Sequence, residues 1–208
     1  MNEVKIGKNV EYISQISSNV RGSSPFGDNP NLETITVDAA NPYFTDMGGK
    51  VLYEVATDYL ISGTKHGFIP DGTITIGAAS FRDFEITEIT IPNTVKYIHV
   101  YAFFNTKLTE INIPDSVERI DSYNFSGGTY TEVRLSRNVQ FVGSQSFNSE
   151  TLREVYVYNP DMTITNNAFN RLLVPPEDLI IYGYANSTAE TYANNADGKS
   201  IPLYRFLK

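Results

Sequence analysis

One spacing dominates this sequence. Ile69, Ile91, Ile113, Leu135 and Val157 recur every 22 residues without an insertion, and each is followed twelve residues later by Phe81, Phe103, Phe125, Phe147 and Phe169. Two further columns keep the same step: Ile76, Ile98, Ile120, Val142 and Ile164, and Ile89, Ile111, Val133 and Val155. A unit this short cannot enclose a core of its own, so its apolar columns are buried only when units stack on one another. The chain is therefore expected to form a repeat array.

The reading of one unit follows from its pattern. Leu108, Ile111 and Ile113 alternate with Glu110 and Asn112, as in a short strand with one buried and one open face. Pro70, Pro92 and Pro114 come next and lack the amide that a ladder needs, so the strand is expected to end there. Neighbouring strands would pair in parallel about 4.8 Å apart. The small residues Ala102, Asn124, Ser146 and Ala168 precede each Phe, where a tight bend would exclude a larger side chain. The Phe column is then the spine of the far wall, each ring contributing about 1.5–3 kcal/mol from burial alone.

The order Leu, two residues, Ile, one residue, Ile-Pro, then Val, Ile and Ala-Phe resembles the BspA-like class of bacterial leucine-rich repeats. Leu108 to Phe125 carries it well and Ile86 to Phe103 better. Ser136 and Tyr158 depart from it in place of Pro, Asn124 and Ser146 in place of Ala, and Thr73 and Asp161 in place of Val. The fold so implied is a β-rich leucine-rich repeat solenoid of about seven coils, with parallel strands on one face and turns and short 3-10 segments on the other. A single domain is expected over residues 1–208, with irregular N-terminal repeats over 1–68, regular repeats over 69–178 and a cap over 179–208.

Both ends carry their own signals. Leu32, Ile35 and Val37 repeat the strand spacing, and Val10 and Ile13 follow Ile6 at the expected distances, so the array begins near residue 4. Arg21 to Pro30 is a turn-rich insertion. Val51 to Tyr53 and Tyr59 to Ile61 read as a hairpin turning at Ala56, Thr57 and Asp58, similar to a hairpin variant of the same repeat family. Near the C-terminus, Leu179 to Tyr182 form a strand. Ser187 and Glu190 then have capping-box spacing ahead of a short helix ending at Gly198, which would cover the end of the stack. The stretch from Gly183 to Ala193 also looks like the closing segment of that family.

Composition narrows the chemistry. The chain has no Cys, which excludes disulfides, thiolate zinc sites and cysteine catalysis. A formal charge of −8 argues against nucleic acid or an anionic membrane as partner. Phosphate loops, dinucleotide fingerprints and nucleophile elbows are missing, and His66 and His99 fall on different columns, so no catalytic residue, cofactor or metal is assigned. No apolar run is long enough for a membrane span. The start from Met1 to Lys5 does not read as a signal peptide, which leaves a cytoplasmic protein or an excised piece of an exported one.

What remains is surface. Glu88, Glu110, Glu132 and Glu154 share one outward column, with His66 one turn earlier, and like charges side by side in a sheet repel. A solvated face helped by Lys107, Arg134 and Arg153 explains the column; so does a docking strip for a basic partner. A divalent cation is the poorer occupant, because a strand ladder offers no loop carbonyls. The adjacent outward column is Phe68, Thr90, Asn112, Arg134 and Tyr156, whose aromatic and Arg content suits an interface. The resemblance implies a non-enzymatic module of a bacterial cell-surface or secreted protein that binds protein or glycan on host matrix, host cells or other bacteria. The alternative is a structural spacer that presents another domain.

Overall fold

The computed structural model describes residues 1–13, 25–26, 29–169, 178–194 and 203–207. Most of the Arg21 to Pro30 insertion and the end of the expected helix at Gly198 lie outside the described residues.

The five phenylalanines form one stack. Phe81, Phe103, Phe125, Phe147 and Phe169 are at most 1% exposed. Successive ring centroids are 5.5, 5.1, 5.4 and 5.9 Å apart, with interplanar angles of 5°, 9°, 13° and 24°. Beneath each ring the chain bends at a fully buried small residue: Ser80, Ala102, Asn124, Ser146 and Ala168. Asn124 fits because its amide Nδ2 donates to the carbonyls of Ile98 and Asp121, at 3.2 and 2.9 Å. The Ser146 hydroxyl likewise donates to the carbonyls of Asp121 and Gly143, both at 2.7 Å.

Two residues before each Phe, the backbone turns left-handed. Ala79, Tyr101, Tyr123, Gln145 and Asn167 have φ between 54° and 65°. Each costs about 1–2 kcal/mol in a residue with a Cβ. What offsets this is hydrogen bonding from coil to coil along the same wall: Ala79 donates its amide to Val100, Tyr101 to Ser122 and Tyr123 to Ser144, at 3.0, 3.2 and 2.9 Å.

A further wall runs between the strand face and the turns of the Phe spine. It is a ladder of two-residue strands, β6 (Thr75–Ile76), β7 (Tyr97–Ile98), β8 (Arg119–Ile120), β10 (Phe141–Val142) and β12 (Thr163–Ile164), all paired in parallel. Two residues suffice because Ile76, Ile98, Ile120 and Val142 are at most 1% exposed and hold the register. Five coils carry this pattern, fewer than the seven expected. In place of further coils, the antiparallel strands β3 (Phe44–Thr45), β4 (Val51–Glu54) and β5 (Tyr59–Gly63) extend the same sheet. The turn between β4 and β5 contains Ala56, Thr57 and Asp58, as the spacing predicts.

At the N-terminus, β1 (Glu3–Ile6) pairs in parallel with β2 (Thr34–Val37). Asn41 ties this pair to the hairpin: its Nδ2 donates to the carbonyls of Gly7 and Val10 at 2.9 Å, and its Oδ1 accepts from the amides of Tyr43 and Phe44 at 2.8 and 3.0 Å. At the other end, α1 (Thr188–Asn194) buries Ala189 and Ala193. The Ser187 hydroxyl accepts from the Glu190 amide at 3.3 Å, and the Glu190 carboxylate reaches back to the Asn186 amide at 2.6 Å. This is the capping box, displaced by one residue on its return bond.

The outward strand face is also less regular than the repeat suggests. Within the regular repeats, only Glu132–Leu135 (β9) and Glu154–Val157 (β11) form ladder strands among the described residues; 86–91 and 108–113 do not. The break follows the proline pattern. In the last regular coil, Tyr158 stands where earlier coils have Pro92 and Pro114, and its amide donates to the Leu135 carbonyl at 3.0 Å. Proline has no amide to give, and the strand pairing opens where it occurs.

Candidate functional site

The strand face closes into a continuous sheet only toward the C-terminus. There β9, β11, β13 (Ile180–Gly183) and β14 (Leu203–Phe206) pair in parallel. Their register aligns Arg134, Tyr156, Tyr182 and Arg205 in one outward row, with Glu132, Glu154, Ile180 and Leu203 in the row beside it. Tyr182 and Arg205 join the row although the repeat spacing does not reach them.

The first three residues of this row interlock. The Arg134 guanidinium lies 4.1 Å above the Tyr156 ring, which stacks on Tyr182 at 4.4 Å and 3°. Arg134 also donates through Nε to Glu132 at 2.6 Å and through Nη1 to the Tyr158 hydroxyl at 3.0 Å. Glu154 accepts from the hydroxyls of Tyr156 and Tyr182 at 3.1 and 3.0 Å. Desolvation, reinforced by the Glu154 carboxylate, pushes the Tyr156 hydroxyl up to about 12, so it remains a donor at neutral pH. The Glu132 hydrogen bond in turn holds the Arg134 guanidinium above its ordinary value.

Of the four glutamates in the outward column, Glu132 and Glu154 are therefore neighbours in one ladder and already engaged with Arg134, Tyr156 and Tyr182. Glu88 and Glu110 stand exposed on the open segments, as do Thr90 and Asn112. Phe68, 43% exposed, sits at the far end of the same strip, beyond His66. The chemistry of the strand face is thus concentrated at its C-terminal end. It is a Tyr and Arg surface in which carboxylates serve as internal acceptors.

A second cluster on the two-residue ladder follows the same period, since Asp121 lies one repeat after His99. Asp121, 7% exposed, accepts from Arg119 Nε at 2.7 Å and faces His99 Nδ1 at 3.2 Å; the Arg119 guanidinium also caps the Phe141 ring at 3.9 Å. Burial pushes the Asp121 carboxyl up, but the His99 hydrogen bond and the Arg119 charge outweigh it and hold it below the ordinary value of 3.8. A carboxyl lowered in the folded state contributes stability above its unfolded pKa and loses it as pH falls through the folded one. Asp121→Asn is accordingly expected to flatten the loss of melting temperature on acidification below about pH 4 relative to the parent chain. Equal slopes for the two proteins would show that the cluster does not couple to folding.

The tyrosines divide. Tyr101 and Tyr123 stack at 4.9 Å as half-buried rings on the far wall, whereas Tyr97 is exposed. Tyr130 differs: it is 1% exposed and donates its hydroxyl to the Phe125 carbonyl at 2.7 Å, so its role is in the core. Among the described residues no group of three or more His, Cys, Asp and Glu side chains is placed to hold a metal ion. Nor is any helix among them long and apolar enough to cross a membrane.

Comparison with known proteins agrees with this architecture. No curated protein matches the chain. Among solved structures, a leucine-rich repeat protein from Eubacterium ventriosum superposes with a TM-score of 0.67 at 23% identity, covering 98% of this chain and 56% of that one. The pneumococcal vaccine antigen PcpA gives 0.64 at 17% identity, over 100% of this chain and 56% of its own. A leucine rich cell surface protein from Faecalibacterium prausnitzii gives 0.66 at 16% identity, over 100% of this chain and 48% of its own. The chain thus spans about half the length of each. Six copies of the BspA type leucine rich repeat region match residues 62–173. With repeats recognised over more than half of its length, the chain belongs to the BspA type leucine-rich repeat family.

Proposed function

We propose that this chain is a non-enzymatic binding module of a bacterial cell-surface or secreted protein, acting in adhesion or host interaction, and that its strand face takes a protein partner. The observation that carries the reading is the interlocked set of Arg134, Tyr156 and Tyr182, with Arg205 aligned beside it. Tyr and Arg are the residue types that dominate binding energy at protein interfaces, because a ring or a guanidinium held in place loses little freedom on docking. Here the rings are held by one another and by Glu154 before any partner arrives. The two solved neighbours described as a vaccine antigen and a cell surface protein support a location outside the cell.

The test is capture of the purified chain on a panel of extracellular-matrix and bacterial surface proteins, beside the double variant Arg134→Ala and Tyr156→Ala. A partner bound through this row should lose at least about 2 kcal/mol, roughly a thirtyfold weakening, while the melting temperature of these surface positions changes little. A partner that binds the parent chain and the double variant equally places the interface elsewhere. Absence of any partner favours the spacer, in which the repeats serve only to hold another domain at a distance.

A further inference from the structure

A second surface, distinct from the strand row, lies along the edge where each coil turns from the strand face into the two-residue ladder. Residues just before β7, β8 and β10 and just after Pro114 and Ser136 enclose an open groove of about 370 Å³ there. That volume falls within the range of small-molecule sites. We propose that this groove binds a neutral carbohydrate, a mono- or disaccharide unit of a glycan.

Its walls are made only of polar and charged side chains. Lys96 and Arg137 supply two positive charges, and Asp115 and Glu118 two negative ones, so the groove carries no net charge. A strongly anionic or cationic ligand would leave one pair uncompensated on desolvation, whereas a polyhydroxylated neutral ligand can both donate to the carboxylates and accept from the cations.

Several groups are held in place. The Asn138 Nδ2 donates to the Asp115 carbonyl at 2.7 Å. The Asn159 side chain donates to the Val139 carbonyl at 2.8 Å and accepts from the Asp161 amide at 3.0 Å. Lys96 pairs with Glu118 at 3.2 Å.

Other groups are left open. The Asp115 carboxylate and the Gln140 amide group have no side-chain partner among the described residues. The Ser116 hydroxyl is shut off from water and lies behind the wall rather than on it, so the open groups of the groove are those of Asp115 and Gln140. Two neighbouring tyrosines hold the wall residues, since the Tyr97 hydroxyl donates to Glu118 and the Tyr184 hydroxyl accepts from Arg137, both at 3.4 Å. A pyranose presents hydroxyls that both donate to and accept from such fixed polar groups.

The experiment is an array of neutral, sialylated and sulfated oligosaccharides probed with the intact chain, followed by ligand-observed NMR titration of the best neutral glycan. The double variant Asp115→Ala and Gln140→Ala removes open polar groups on exposed residues and should leave folding intact. We expect a neutral glycan to bind, and its affinity to fall about tenfold or more in the double variant, as loss of hydrogen bonds to a charged group implies. The variant Arg134→Ala with Tyr156→Ala should keep full glycan affinity, which separates this site from the strand row. Retention of acidic glycans only, unchanged affinity in the groove variant, or no glycan binding at all would each overturn the proposal.

Discussion

Replacing Phe125 by alanine is expected to destabilise the protein by about 3–5 kcal/mol, measured by urea unfolding with the midpoint and slope fitted together. The ring is 1% exposed and stacked between Phe103 and Phe147, at 5.1 and 5.4 Å. Its removal leaves a cavity that neither neighbour can fill, because each is stacked in turn on Phe81 or Phe169. The Phe125 carbonyl also accepts the Tyr130 hydroxyl, so motion of the backbone to close the gap would disturb a second buried group. A loss below about 1 kcal/mol would mean that the stack does not carry the core.

The second large effect concerns a glycine. Gly143→Ala should cost about 1–3 kcal/mol, the range for forcing extra volume into a packed site. A Cβ at this position would lie 2.4 Å from the Ser122 amide nitrogen and 2.7 Å from both the Asp121 carbonyl carbon and the Ser122 hydroxyl. The first two are backbone atoms of the preceding coil, and the third, the Ser122 hydroxyl, is held there by the Ser144 amide at 3.1 Å. Making room means separating two coils. Gly7→Ala, where nothing lies within 4 Å, provides the control and should change stability by less than about 0.5 kcal/mol. If the two variants melt together, close approach of the coils is not what Gly143 serves.

The spine, the hairpin and the capping box are legible in the sequence because each is written locally or at a fixed period. Phe125 and Ala102 follow from the spacing alone, and the turn at Ala56 to Asp58 from the flanking apolar runs. The strand row was only half legible. Tyr156 follows Arg134 by one repeat, but Tyr182 lies 26 residues beyond Tyr156 and Arg205 another 23, so the period breaks where the row is most aromatic. Backbone hydrogen bonds, which are indifferent to insertion length between strands, restore the alignment.

Proline misled in the other direction. The Ile-Pro pairs read as strand ends, yet the missing amides also weaken the ladder itself, and pairing returns beside Tyr158. Tyr130 was illegible for a different reason: its hydroxyl suggests a wet edge, and only the Phe125 carbonyl makes burial affordable. The polar groove keeps the 22-residue period, since Lys96, Glu118 and Gln140 form one column and Asp115, Arg137 and Asn159 another, but each column changes residue type from coil to coil and so does not stand out in the sequence.

The parallel register of the coils also decides how the molecule answers mechanical load. Hydrogen bonds between coils run along the axis of the stack, from the His99 amide to the Ile76 carbonyl and from the Asp121 amide to the Ile98 carbonyl, rather than across it. Tension between the two ends therefore reaches these bonds one rung at a time, as in peeling, and does not shear many together. Each coil drawn off releases about 70–80 Å of chain, the extended length of 22 residues, and leaves the rest of the stack intact. A protein built in this way yields under tension by lengthening stepwise, as a tether that absorbs a pull would.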